Sequence, residues 1–111
     1  MTFKLITNPS FEQISGFSAY QFRKLDALYL QAASRKTLTY RSVECDFDEG
    51  IASYTYYASE GRPAALQFVI RRVGPKTQMY EVYKEGKGRI MKSGVFERSY
   101  ERLAEEIEAY Q

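Results

Sequence analysis

The sequence predicts an α+β fold: a five- to six-stranded antiparallel meander sheet with helices packed mainly on one face. Three observations carry this expectation. Between Thr37 and Val95, four clusters rich in Gly, Asp and Pro separate segments of strand length and β-forming composition. Upstream, Phe22, Leu25, Leu28 or Tyr29, and Ala32 recur at spacings of three and four. Downstream, Phe96, Tyr100, Leu103, Ile107 and Tyr110 do the same among Glu and Arg.

In chain order, "TFKLIT" (Thr2 to Thr7) has the composition of a short first strand, ended by Asn8-Pro9. Pro9 suits a first helical position, Ser10-x-x-Gln13 reads as a capping box, and Gly16 stops that short helix. Ser18-x-x-Gln21 repeats the capping pattern and opens an amphipathic helix of about four to five turns. Strands follow near 38–46, 51–58, 64–73, 77–85 and 88–93, and the short loops between them favour antiparallel neighbours. The final stripe is narrow, as on a helix lying along the chain's own sheet, and two heptads are too few for a free-standing coiled coil. The expected order is β-α-α-β-β-β-β-β-α, and all 111 residues are read as one domain. This order is similar to that of helix-grip folds, without a shared motif, and implies nothing about function.

The residue types that are missing narrow the chemistry. There is no histidine, so neither a Ser-His nor a Cys-His pair can form. One cysteine cannot supply a zinc site. Gly86-Lys87-Gly88 lacks the dinucleotide fingerprint, and no phosphate-loop spacing occurs. The acidic run Glu44 to Gly50 fails the calcium-loop pattern: counted from Asp46, glycine falls fifth and Tyr57 twelfth. A hairpin turn explains it better. Cys45, between Glu44 and Asp46, reads as a packing residue, because acidic neighbours suppress the thiolate. The reading is a non-catalytic protein with no cofactor and no metal. With a single cysteine and no signal-like or membrane-length apolar run, a cytoplasmic location is expected.

The net charge of +2 hides a segregation. Residues 71–92 carry seven basic side chains against Glu81 and Glu85, a net of +5. Residues 37–61 sum to −4 and residues 93–111 to −3. Side chains alternate between faces along a strand. Leu66, Phe68 and Ile70 are taken as core, which turns Gln67, Val69 and Arg71 to the other face. In 77–85, either Tyr80 with Val82 or Met79 with Tyr83 must look away from the core. In "ASYTYYA", Tyr54 and Tyr56 are taken inward and Tyr57 outward.

Tyr, Met and Arg are enriched at interfaces. The expected function is therefore a small adaptor or regulatory domain that binds a protein partner, or itself, through an aromatic and basic sheet face. The candidate contact residues are Tyr57, Gln67, Arg71, Met79, Tyr83, Lys87 and Arg89. Strand propensity alone also enriches tyrosine, which is the plainer explanation for most of the ten. Two alternatives stand beside this reading. One is single-stranded nucleic acid on the same face, with tyrosines stacking on bases and Lys84, Lys87, Arg89 and Lys92 tracking phosphates. The other is a small apolar ligand between sheet and helices.

Overall fold

A computed structural model describes residues 17–111. The expected strand over 2–7 and the short helix from Pro9 lie outside the described residues. Helix α1 spans Ala19–Ser34 and is followed by strands β1 (Tyr40–Asp46), β2 (Ile51–Tyr57), β3 (Ala64–Gly74), β4 (Thr77–Lys84) and β5 (Gly88–Ser93), then helix α2 (Phe96–Ala109). All four strand pairs are antiparallel, in the order β1-β2-β3-β4-β5. The α+β meander expected from the turn clusters is the observed fold.

Local chemistry accounts for the boundaries. The Ser18 side chain accepts from the Gln21 N–H at 3.0 Å, and the Gln21 side chain accepts from the Ser18 N–H at 3.1 Å, which is the reciprocal capping box at the start of α1. In the β1–β2 turn, Asp46 Oδ1 accepts from the Glu49 N–H, and Gly50 sits at φ +69°, a conformation open to glycine. The acidic run is thus a hairpin turn. The start of α2 has no side-chain cap of its own; Ser93 Oγ accepts from the N–H of Val95 instead.

Both helices cover one face of the sheet. Its core rows are Val43, Tyr54, Phe68 and Val82, then Cys45, Ala52, Ile70 and Tyr80, each row in direct cross-strand register. Leu25, Leu28 and Ala32 of α1, and Phe96, Leu103 and Ile107 of α2, close over them. Aromatic rings fill the layer between. Phe68 lies edge-on to Phe96 at 5.5 Å, Tyr80 lies edge-on to Phe96 at 5.6 Å, and Phe22 tilts against Tyr54 at 5.8 Å. Tyr54 and Tyr56 point inward and Tyr57 outward, as expected.

The two inward tyrosines tie α1 to β2. The Tyr56 hydroxyl donates to the Leu25 carbonyl at 2.8 Å, and the Tyr54 hydroxyl donates to Asp26 Oδ1 at 2.5 Å. Arg41 Nε reaches the same Asp26 oxygen at 3.3 Å. Burial first, then the neighbouring Tyr56 and Asp26, push the Tyr54 hydroxyl far above its ordinary range, so it stays a donor. Tyr54→Phe deletes a hydrogen bond to a charged group while keeping the ring. It is expected to cost about 1.5–3 kcal/mol in urea unfolding; a loss below 0.5 kcal/mol would deny Tyr54 this tethering role.

Candidate interaction face

The pleat that sends Tyr54, Phe68 and Val82 inward sends the alternate residues to the opposite face, which neither α1 nor α2 covers. Cross-strand register orders that face in rows. One runs Glu44, Ser53, Val69, Glu81 and Lys92 from β1 to β5. The next runs Ser42, Thr55, Gln67, Tyr83 and Arg89. A third holds Asp46, Ile51, Arg71 and Met79.

The structure resolves the open choice in β4. Tyr80 and Val82 are buried, and Met79 and Tyr83 are half-buried on the outer face. Six of the seven candidate contact residues, namely Tyr57, Gln67, Arg71, Met79, Tyr83 and Arg89, therefore share one face. Lys87 does not join them in the sheet; it is exposed in the β4–β5 turn, where its N–H donates to the Lys84 carbonyl.

The face is organised around Glu81, which sequence reasoning did not single out. Its carboxylate is buried, with only 3% of the side chain exposed. Arg71 approaches in a forked geometry, Nη2 to Oε1 at 3.3 Å and Nε to Oε2 at 3.4 Å. The Tyr83 hydroxyl donates to Oε1 at 2.8 Å, and Arg89 Nη1 stands 3.8 Å from Oε2. Burial works against the ionised carboxylate. Hydrogen bonds from Arg71 and Tyr83 and the charge of Arg89 outweigh it and hold Glu81 below its ordinary range. The hydrogen bonds to Glu81 in turn hold the Arg71 guanidinium firmly protonated. Forked arginine–carboxylate pairs fix orientation as well as charge. Nothing in the local sequence of β4 marks Glu81 as different from any solvated strand residue.

Smaller contacts set the rest. Gln67 Nε2 donates to Thr55 Oγ1 at 3.0 Å, and the Tyr57 hydroxyl lies 3.1 Å from Ser42 Oγ. Tyr57 also stands edge-on to the exposed Tyr40 at 5.4 Å, so two rings border one end of the face. Ser42, Thr55 and Gln67 are thus paired within the sheet, and the larger Tyr, Met and Arg side chains stand around them.

The basic character of residues 71–92 is partly neutralised by the fold. Arg71 and Arg89 meet Glu81, and Lys84 Nζ lies 2.8 Å from Glu106 Oε1 on α2. Lys84 first, against a smaller opposing effect of burial, and then Arg102 lower the Glu106 carboxyl. The cationic side chains left without an ion pair among residues 71–92 are Arg72, Lys76, Lys87 and Lys92. Among the described residues no group of three or more Asp, Glu, Cys or His is placed to hold a metal ion. No described helix is long and apolar enough to cross a membrane. The chain matches no known protein family, no curated protein and no solved structure.

Proposed function

We propose that this chain is a non-catalytic protein-interaction domain that docks a protein on the sheet face opposite its helices. One observation carries the reading. Tyr57, Met79 and Tyr83 share that face with the Arg71–Glu81–Arg89 cluster, and neither described helix covers them. A sheet face meant only for water is normally more polar and needs no aligned guanidinium fork. Tyrosine, methionine and arginine on a rigid, pre-organised scaffold match the composition of protein contact sites. The nucleic-acid alternative loses support because Lys84 and Arg89, two of its four phosphate-tracking residues, are paired with acids inside the chain. The apolar-ligand alternative loses support from the rings that fill the layer between sheet and helices.

The test is affinity capture with the wild-type chain and with Tyr57→Ala/Met79→Glu, both shown to be folded by circular dichroism. Proteins retained by the wild type should fall about tenfold or more with the variant, as contact-site anchors do. Equal capture by both would overturn the reading.

A further inference from the structure

The outer face is electrically polarised along the direction that crosses the strands. At its β1 side stand the exposed Glu44 and Asp46; at its β5 side stand the exposed Arg89 and Lys92. Register places Glu44 and Lys92 at opposite ends of a single row, Glu44–Ser53–Val69–Glu81–Lys92. Glu44 and Lys92 are in no intramolecular ion pair. A surface with opposite charge at equal height on its two flanks is complementary to itself after a half-turn about an axis parallel to the strands.

From this we infer that the partner of the face is a second copy of the same chain, stacked face to face about a twofold axis running along β3. The inference rests on the interaction reading given above and names its occupant. The half-turn exchanges left and right across the sheet and preserves height along the strands. Each row of one protomer then meets the same row of its partner in reverse order. Glu44 faces Lys92 of the partner subunit, and Ile51 faces Met79 of the partner subunit. Val69 sits at the axis with Gln67 and Arg71 on either side of it along β3; the two Arg71 guanidinium groups that meet there are each held by the Glu81 of their own chain. Tyr40 and Tyr57 lie at the end of the face that carries the Lys87 turn, which places aromatic rings opposite an ammonium. The other in-plane axis, across the strands, would set the acidic β1 side against itself and the basic β5 side against itself, and Glu44 and Lys92, unlike Arg71, have no countercharge in their own chain to offset that repulsion. Edge-to-edge pairing of β1 with β5 would satisfy the same charges but is head-to-tail and does not close on itself.

The area is adequate. Five strands of about seven residues, at about 4.8 Å between strands and about 3.3 Å per residue, present roughly 24 by 23 Å, about 550 Å² per copy before side-chain relief. Two such faces reach the roughly 1,000 Å² that a specific interface requires. Sheets stacked in this way align within about 30° of each other, which keeps the rows in facing order near the axis.

Sedimentation velocity on the full chain between about 1 and 500 µM tests the inference. The wild type is expected to pass from the 12.9 kDa monomer to twice that mass. Glu44→Lys and Lys92→Glu should each weaken the dimer about tenfold or more, because each change is felt twice per interface. The double variant Glu44→Lys/Lys92→Glu should recover it, and an equimolar mixture of the two single variants should form a heterodimer. Both positions are exposed, and unchanged circular dichroism would show that the fold is kept. A wild type that stays monomeric throughout overturns the inference, as does a dimer indifferent to both reversals. A monomer that still captures another protein through Tyr57 and Met79 would overturn self-association while leaving the interaction reading intact. A monomer with no such capture would overturn both.

Discussion

Phe68→Ala is expected to remove about 3–5 kcal/mol of folding stability, the range for deleting a fully buried aromatic ring. Phe68 is completely inaccessible on the middle strand of the sheet. It is paired across β2 to Tyr54 and across β4 to Val82, and it contacts the Phe96 ring that anchors α2. The cavity would open where sheet and helix meet, between elements held by their own backbone hydrogen bonds, so little collapse can refill it. Domains of this size hold only about 5–15 kcal/mol in total. For a chain of 111 residues, each kcal/mol moves the melting temperature by about 4 °C, so a fall of about 12–20 °C is expected. Met79→Ala, on the outer face of the neighbouring strand, should cost under about 1 kcal/mol. Thermal unfolding followed by circular dichroism compares the two. Equal losses would mean that the layer between sheet and helices is not the main source of stability.

The second large effect concerns which partner is removed from the Glu81 cluster. Arg71 is 39% exposed at its side chain and Glu81 only 3%. Glu81→Gln leaves a guanidinium that water can solvate. Arg71→Met leaves a buried carboxylate with Tyr83 and the more distant Arg89 alone. An orphaned buried charge costs more than an orphaned exposed one. At pH 7, Arg71→Met is therefore expected to cost about 2–3 kcal/mol and Glu81→Gln about half that. The pH dependence supplies an independent check. In the wild type the folded Glu81 carboxyl titrates below its unfolded value of about 4.3, so its stabilisation is complete above that pH and declines as pH falls through the folded value. Glu106, also lowered, adds to the same acid limb in both proteins. Without Arg71, burial is opposed by Tyr83 and Arg89 alone, and the folded Glu81 value rises from its wild-type position. The penalty of the variant is therefore small in acid, where Glu81 is protonated in both proteins, and grows as pH rises through the two folded values. Urea unfolding of both proteins at pH 3, 5 and 7 measures it. A penalty independent of pH would show that Arg71 acts through packing rather than through the buried carboxylate.

The elements were legible because their signals are local. Asp46 to Gly50 needs a tight turn, Ser18 and Gln21 need each other's backbone N–H, and the Phe96–Ile107 stripe has one period. The facing of β4 was not legible. In "TQMYEVYK" both alternating sets hold a tyrosine and an apolar residue, so only the packing of Phe96 and Ser99 against Tyr80 decides. Glu81 was hidden for a different reason. A carboxylate in a strand is ordinarily solvated, and its burial depends on Arg71, ten residues away and aligned only once β3 and β4 are in register. The grouping of Tyr57, Gln67 and Arg71 on one face followed from alternation within β2 and β3; Met79 and Tyr83 joined it only once the facing of β4 was fixed, and Arg89 through its register opposite Tyr83. Lys87, a candidate on its charge, stands in the turn between β4 and β5, where strand alternation does not decide a facing.

The uninterrupted order of the sheet also bears on how quickly the chain can reach it. Every ladder joins strands that are consecutive along the backbone, so each hairpin closes a short loop before the next one adds to it. Loop-closure entropy stays small at each step, and topologies of this kind belong to the faster β-containing folders. The longest closure is made by α1: Tyr54 and Tyr56 hold it to β2 across 28 and 31 positions, while its Tyr20 hydroxyl donates to Glu97 of α2 across 77. The first two contacts need only β2, and the last carries the loop-closure cost of nearly the whole described chain.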